Sequence, residues 1–213
     1  MRPPDSWKRA RLTLGIAGVA AFAWLVISTA GLGDVAMMWA GFIPARVGGA
    51  GGAEAMAPLA LTPLTATLVH IGFLHLALNL VILLVCGRPV ENILGWQAIL
   101  ILFLAGAYAA AAAHYGLDPS DMSPMVGVSG SVSAVLGAYA MLFSRFKVKV
   151  ANPTLGLWLN ILWLGAAWIL FQLAVGFTFE RPGAPTGVAA HIGGFLAGLV
   201  LAKPLLLFRY RRA

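Results

Sequence analysis

Residues 127–144 run Gly127-Val128-Ser129-Gly130-Ser131-Val132-Ser133-Ala134-Val135-Leu136-Gly137-Ala138-Tyr139-Ala140-Met141-Leu142-Phe143-Ser144 without one charged side chain. As a helix this stretch would be about 27 Å long, close to the thickness of the hydrocarbon layer of a bilayer. Five further apolar runs fall at 12–31, 65–87, 93–113, 155–178 and 187–207. Each is near the length that a spanning helix requires. The expected architecture is therefore all-α, a polytopic integral membrane bundle of six transmembrane helices. Polar groups are expensive in such helices and are usually present for a reason. That singles out the hydroxyl of Ser129, flanked by Gly127 and Gly130, and the imidazole in Ala190-His191-Ile192-Gly193-Gly194.

The composition of the whole chain agrees. Of 213 residues, 61% are hydrophobic and only 10% charged, with a mean hydropathy of +0.90. A soluble domain would carry about 25% charged residues. The net charge of +7 is compatible with nucleic-acid binding, but the basic residues lie at the ends of apolar runs and not on one face. No nucleic-acid partner is expected. The single cysteine, Cys86, sits inside an apolar run, which excludes an internal disulfide and reads as a buried thiol. No cofactor or metal is expected, since no acid or thiol stands at ligand spacing beside His75 and Asn79. The run 12–31 follows Lys8, Arg9 and Arg11 as a secretory signal would. Its roughly 20 residues exceed an ordinary signal core of about 7–15, so it reads as a retained first span. Residues 32–63 form a longer connection, in which Met37, Met38, Trp39 and Phe42 suit either the membrane interface or packing on the bundle. One membrane domain over 1–213 is expected, with an N-terminal segment 1–11 and a basic tail 208–213.

Turn and charge signals separate the runs: Gly87-Arg88-Pro89, Asp118-Pro119-Ser120-Asp121, Asn152-Pro153 and Arg181-Pro182-Gly183. Arg2, Lys8, Arg9, Arg11, Arg88, Arg145, Lys147, Lys149, Lys203, Arg209, Arg211 and Arg212 all fall on one side of the implied membrane. Only Arg46 and Arg181 fall on the other, among Asp34, Glu54, Asp118, Asp121 and Glu180. The excess of Lys and Arg marks the cytoplasmic side, so both termini are expected there.

Depth follows from the same count, at about 1.5 Å per helical residue. Ser129 lies roughly 24 Å from Arg145, His75 roughly 20 Å from Arg88, and His191 roughly 18 Å from Lys203. All three positions thus lie toward the outer leaflet, below its surface. His75 and Asn79, four residues apart, share a helix face, while His70 points elsewhere. Ser129, Ser133 and Gly137 form one small-residue stripe, and Gly194 with Gly198 another, of the kind that lets helix backbones approach closely. Close approach would bring the Ser129 hydroxyl to a His191 ring nitrogen. Each part alone has a plainer reading. Gly-x-Ser-Gly is common in membrane helices, a lone histidine such as His114 usually packs, and Gly194 and Gly198 serve helix packing. Their agreement in depth favours a serine nucleophile with a histidine base. No acid lies in the inner halves of the spans, so a dyad is expected.

The pairing of Gly-x-Ser-Gly with Ala-His-x-x-Gly resembles the rhomboid family of intramembrane serine proteases. The likeness runs from the second span to the sixth. His70-Ile71-Gly72-Phe73-Leu74-His75-Leu76-Ala77-Leu78-Asn79 resembles the family's second-span pattern, and Gly87-Arg88-Pro89-Val90-Glu91 with Gly95 its following turn. Phe42-Ile43-Pro44-Ala45-Arg46 is similar to a first-loop segment of bacterial members. By this resemblance Ser129 is the nucleophile and His191 the base, with His75, Asn79 and the Ser129 N–H forming the oxyanion hole. His70, Gly127, Gly130, Gly194, Gly198 and Glu91 play supporting parts, and Glu91 anchors the third helix. The implied partners are the lipid bilayer and single-span membrane protein substrates, and the implied location is a bacterial inner membrane. Residues 179–187 would roof a water-filled cavity as a lid. Two features depart from the family pattern. Leu61-Thr62 stand where many members carry Trp-Arg, and Ser133 stands where some members place an aromatic on the catalytic histidine. The rival readings are an inactive rhomboid-like protein that binds membrane helices, and a small transporter. The transporter reading predicts inverted repeats and midplane polar groups, which the sequence lacks.

Overall fold

A long apolar segment in hydrocarbon must satisfy its own backbone hydrogen bonds, and a helix does so without help from other segments. The computed structural model of the chain, which describes residues 6–49, 56–143, 152–179 and 186–211, realises that rule throughout. Its helices are α1 (Arg11–Thr29), α2 (Gly33–Ala40), α3 (Thr62–Thr65), α4 (Phe73–Leu94), α5 (Trp96–Leu117), α6 (Ser129–Phe143), α7 (Pro153–Phe179) and α8 (Thr186–Arg209). Five of them, α1, α4, α5, α7 and α8, are long and apolar enough to cross a membrane. Among the described residues the only β pairing is an isolated bridge between Phe42 and Met125.

The sixth bundle helix, α6, has 15 residues and is about 22 Å long, shorter than a full span. It occupies the centre of the molecule, packed by α4, α5, α7 and α8, and 11 of its residues are buried. Glycines set this packing. A Cβ on Gly194 would strike the carbonyl of Gly130, and one on Gly198 the carbonyl of Ala134. A Cβ on Gly137 would strike the carbonyl of Phe195, and one on Gly130 the methyl of Ala110. Helices α5, α6 and α8 thus touch backbone to backbone. Leu83, Ile99, Leu102, Val128, Val132 and Ile161 fill the core around them, and Cys86 is buried there too.

The second run differs from its expected bounds of 65–87. Its helix begins only at Phe73, after the non-helical residues 69–72, and continues through Gly87-Arg88-Pro89 to Leu94. Pro89 removes one backbone donor, which a membrane helix tolerates when its neighbours compensate. Gly87 is a packing position: the Thr13 methyl of α1 sits 2.8 Å from where its Cβ would be. The turn itself falls at Gly95, whose φ of +87° favours glycine. Glu91 also departs from expectation. Its carboxylate accepts Leu12 N–H at 3.0 Å, Thr13 N–H at 2.8 Å and the Thr13 hydroxyl at 2.6 Å. It therefore caps the first turn of α1 and anchors the first helix, not the third, because free N–H groups at a helix start attract an acceptor.

The first loop is held by the backbone and by scattered polar contacts. Phe42 and Met125 exchange hydrogen bonds, Ala45 N–H donates to Asp121 O, and Arg46 Nη2 donates to Ala57 O. Thr65 Oγ1 donates to Ala40 O and Tyr108 OH to Ala60 O. These contacts do the anchoring where Leu61-Thr62 replace Trp-Arg. Met37 and Phe42 pack on the bundle, whereas Met38 and Trp39 are exposed. Residues 180–185 of the expected lid lie outside the described residues, as do Arg2, Glu54, the charges at 145–149 and Arg212.

Candidate active site

Helix α6 starts at Ser129 because the chain turns sharply at Gly127, where φ is +106°. Two contacts hold that turn. Gly127 N–H donates to Ala66 O at 2.9 Å, and Val128 N–H donates to His70 Nε2 at 3.3 Å. The first intrahelical bond is Val132 N–H to Val128 O, so the N–H groups before it are not consumed by the helix. Those of Ser129, Gly130 and Ser131 lie in the first turn of α6, at the positive end of the helix dipole.

Helix α8 brings His191 to this point. The close approaches at Gly194 and Gly198 put α8 against α6, and His191 Nε2 lies 3.0 Å from Ser129 Oγ. Ser129 is buried. From α4, the His75 ring closes over the same turn: a Cβ built on Gly127 would lie 2.9 Å from His75 Cε1 and 3.8 Å from Ser129 Oγ. Glycine there leaves open the space between imidazole and hydroxyl. Asn79, a turn further along α4, is fully buried. Its Nδ2 donates to His75 O at 2.9 Å, and among the described residues its Oδ1 has no partner. An amide nitrogen carries two hydrogens, so one donor of Asn79 remains after that bond.

His70 is not where its spacing suggested. It precedes α4, and its ring meets that of His75 edge to face at 5.5 Å. It does not point elsewhere; it braces both the His75 ring and the turn before Ser129. His114, at the end of α5, pairs with Asp121 Oδ2 at 2.9 Å and packs on Phe42. Burial of Asp121 would raise its carboxyl, but the bond from His114 and those from Ser123 outweigh it and hold the group below the usual carboxylate value. The pair clips together the first loop and the loop leading into Ser129.

One neighbour of His191 gave no signal in the sequence. Trp168 of α7 donates its indole N–H to Ser133 Oγ at 2.7 Å, and its ring lies 6.0 Å from the His191 ring. A tryptophan within an apolar run of 24 residues reads as lipid-facing or core, and nothing in the spacing distinguishes it. Among the described residues, no group of three or more His, Cys, Asp or Glu side chains could hold a metal ion. Chemically, a hydroxyl, an imidazole within hydrogen-bond reach and converging N–H donors can activate a nucleophile and stabilise an oxyanion.

Residues 60–208 match the Rhomboid domain. The chain is 33% identical over 135 residues to rhomboid-related protein 2 of Mus musculus, covering 62% of this chain and 43% of that protein. It is 32% identical over 143 residues to rhomboid protease GluP of Bacillus subtilis, covering 66% of this chain and 26% of that one. Against rhomboid protease GlpG of Haemophilus influenzae it is 30% identical over 135 residues, covering 63% of this chain and 64% of the relative. The matched region is thus less than two thirds of each relative's length. Similar proteins also include one from Caenorhabditis elegans named as an inactive rhomboid-related protein.

Proposed function

The chain belongs to the rhomboid family, and from that premise we propose that it is an intramembrane serine endopeptidase acting through a Ser129–His191 dyad. The observation that carries this reading is the 3.0 Å contact between His191 Nε2 and Ser129 Oγ, made by a buried and a half-buried side chain 62 residues apart. A serine hydroxyl is a weak nucleophile at its own pKa. His191 takes its proton as Oγ bonds to the substrate carbonyl carbon. The carbonyl oxygen becomes an anion, held by the Ser129 N–H, the His75 ring and the second N–H of Asn79. When the intermediate collapses, the carbon–nitrogen bond breaks and His191 passes its proton to the leaving amine. Water then attacks the acyl-enzyme, with His191 again as base, and releases the acid product and free Ser129.

The protein is a multi-pass membrane protein, and residues 1–213 serve as one rhomboid domain. The distribution of Lys and Arg supports cytoplasmic termini and a site toward the outer leaflet, in a bacterial inner membrane. The substrates are single-span membrane proteins. A substrate helix hides its amides, so it must unwind before Ser129 reaches a carbonyl, and Gly or Pro lowers the cost of leaving the helix. Cleavage is expected near the outer end of the substrate helix, upstream of helix breakers. Mass spectrometry of the products of a model single-span substrate tests this. Cutting at the cytoplasmic end, or indifference to replacing the breakers with Leu, would overturn the topology and the unwinding step. An inactive relative that only binds helices would yield no products.

A further inference from the structure

We propose that Trp168, pinned by Ser133, is the positioning residue that sets the orientation of the His191 imidazole; this rests on the reading of His191 as the general base. A base must present one ring nitrogen to the serine, and a ring misplaced by about 1 Å can lose on the order of 100-fold in rate. The α6 residues that meet α8 here are small: Gly130 and Ser133 lie against Gly194, one turn from His191, and Ser129 Oγ lies 3.0 Å from His191 Nε2. None of these has the surface to hold a ring.

Trp168 supplies it. The residue is buried, and its ring centroid lies 6.0 Å from that of His191, tilted by 58°, within the range at which aromatic rings attract. A buried indole needs a partner for its N–H, and this one has Ser133 Oγ at 2.7 Å. Ser133 is completely buried and stands one turn below Ser129 on the same helix. The hydrogen bond therefore ties the indole to the helix that carries the nucleophile, although Trp168 itself belongs to α7. A large side chain at 133 would occupy the volume that the indole fills. The small serine is thus the complement of the tryptophan: one leaves the space, the other fills it and braces the base.

The test uses the full chain in liposomes with a single-span substrate, measuring kcat and KM across pH. Trp168→Ala is expected to lower kcat by about 10- to 100-fold with little change in KM. Ser133→Ala, which frees the indole, is expected to lower it several-fold. In the Trp168→Ala background, Ser133→Ala should add nothing, because the two act as one device. Combining Trp168→Ala with Ser133→Tyr, which returns an aromatic from α6, should recover much of the rate. Trp168→Phe keeps the packing and serves should the alanine variant fail to fold; it should match Ser133→Ala. Unchanged kcat in Trp168→Phe and Ser133→Ala would overturn the proposal, as would additive losses in the double variant. Ser129→Ala is run alongside. If the parent chain and Ser129→Ala cut equally, or neither cuts, the protease reading has failed; if only the parent cuts, the Trp168 results stand on their own.

Discussion

Helices α6 and α7 are neighbours in sequence and in space, yet they are held in opposite ways. Helix α6 is buried on nearly all sides, and α5 and α8 approach it at Gly106, Gly130, Gly137, Gly194 and Gly198, where backbone meets backbone or an alanine methyl. Helix α7, over residues 153–171, buries one stripe, Gly156, Ile161, Gly165 and Trp168, with exposed apolar side chains on its other faces. Backbone against backbone leaves no give, because no side chain can rotate away. A stripe of side chains does give. Ser129 and His191 stand on the unyielding pair, while the ring beside His191 comes from the compliant helix. A reaction centre that depends on a 3.0 Å contact is best built on the former.

Substitutions that add one methyl to each kind of contact separate the two most sharply. In Gly198→Ala the new methyl would meet the Ala134 carbonyl, with the Ala134 Cα only 2.9 Å away. Neither can move without shifting α6 or α8. The expected loss is at least about 1–3 kcal/mol of stability, read as a lowered Tm in detergent. Proteolysis should fall nearly to background, since any separation of the helices parts Ser129 from His191. A Tm and activity like the parent's would mean that the seam yields after all.

The next effect leaves the seam intact. Asn79, on α4 one turn from His75, is buried, and among the described residues its Oδ1 has no partner. Asn79→Ala is expected to lower kcat about 100- to 1,000-fold, the loss typical of one oxyanion donor, with KM and Tm little changed. Unchanged turnover would reduce Asn79 to a packing residue. The smallest effect is on α7. A methyl added at Gly165 would lie 3.1 Å from the far edge of the Phe195 ring, a flexible group that can shift by a few tenths of an ångström. Gly165→Ala is therefore expected to change stability by about 0.5 kcal/mol or less, the ordinary range for tolerated substitutions, and to leave kcat within about twofold of the parent's. A loss as large as that of Gly198→Ala would erase the contrast between the helices.

The sequence carries the bundle well because hydrophobic runs are long-range signals that survive local detail. The small-residue stripes on residues 129–137 and 194–198 also mark a real close approach of α6 and α8. What the sequence hides is local. The start of α4 is set by the non-helical residues 69–72, of which Val69 and Ile71 are as apolar as the helix that follows. Pro89 looks like a break but sits inside a helix, and the actual turn at Gly95 depends on a positive φ that composition does not reveal. Glu91 is identifiable as an anchor, but which helix it anchors depends on the tertiary path of α1. Trp168 is hidden for another reason: its partner Ser133 is 35 residues away on another helix, and only the packing joins them.

Whether Ser129 and His191 form the reactive pair is decided by replacing each in turn. The purified chain, Ser129→Ala and His191→Ala are reconstituted separately with a single-span substrate, and product is quantified beside the Tm of each protein. Cleavage by the parent chain and background product from both variants are expected, with Tm values close to the parent's. Substantial cleavage by either variant would contradict that pairing.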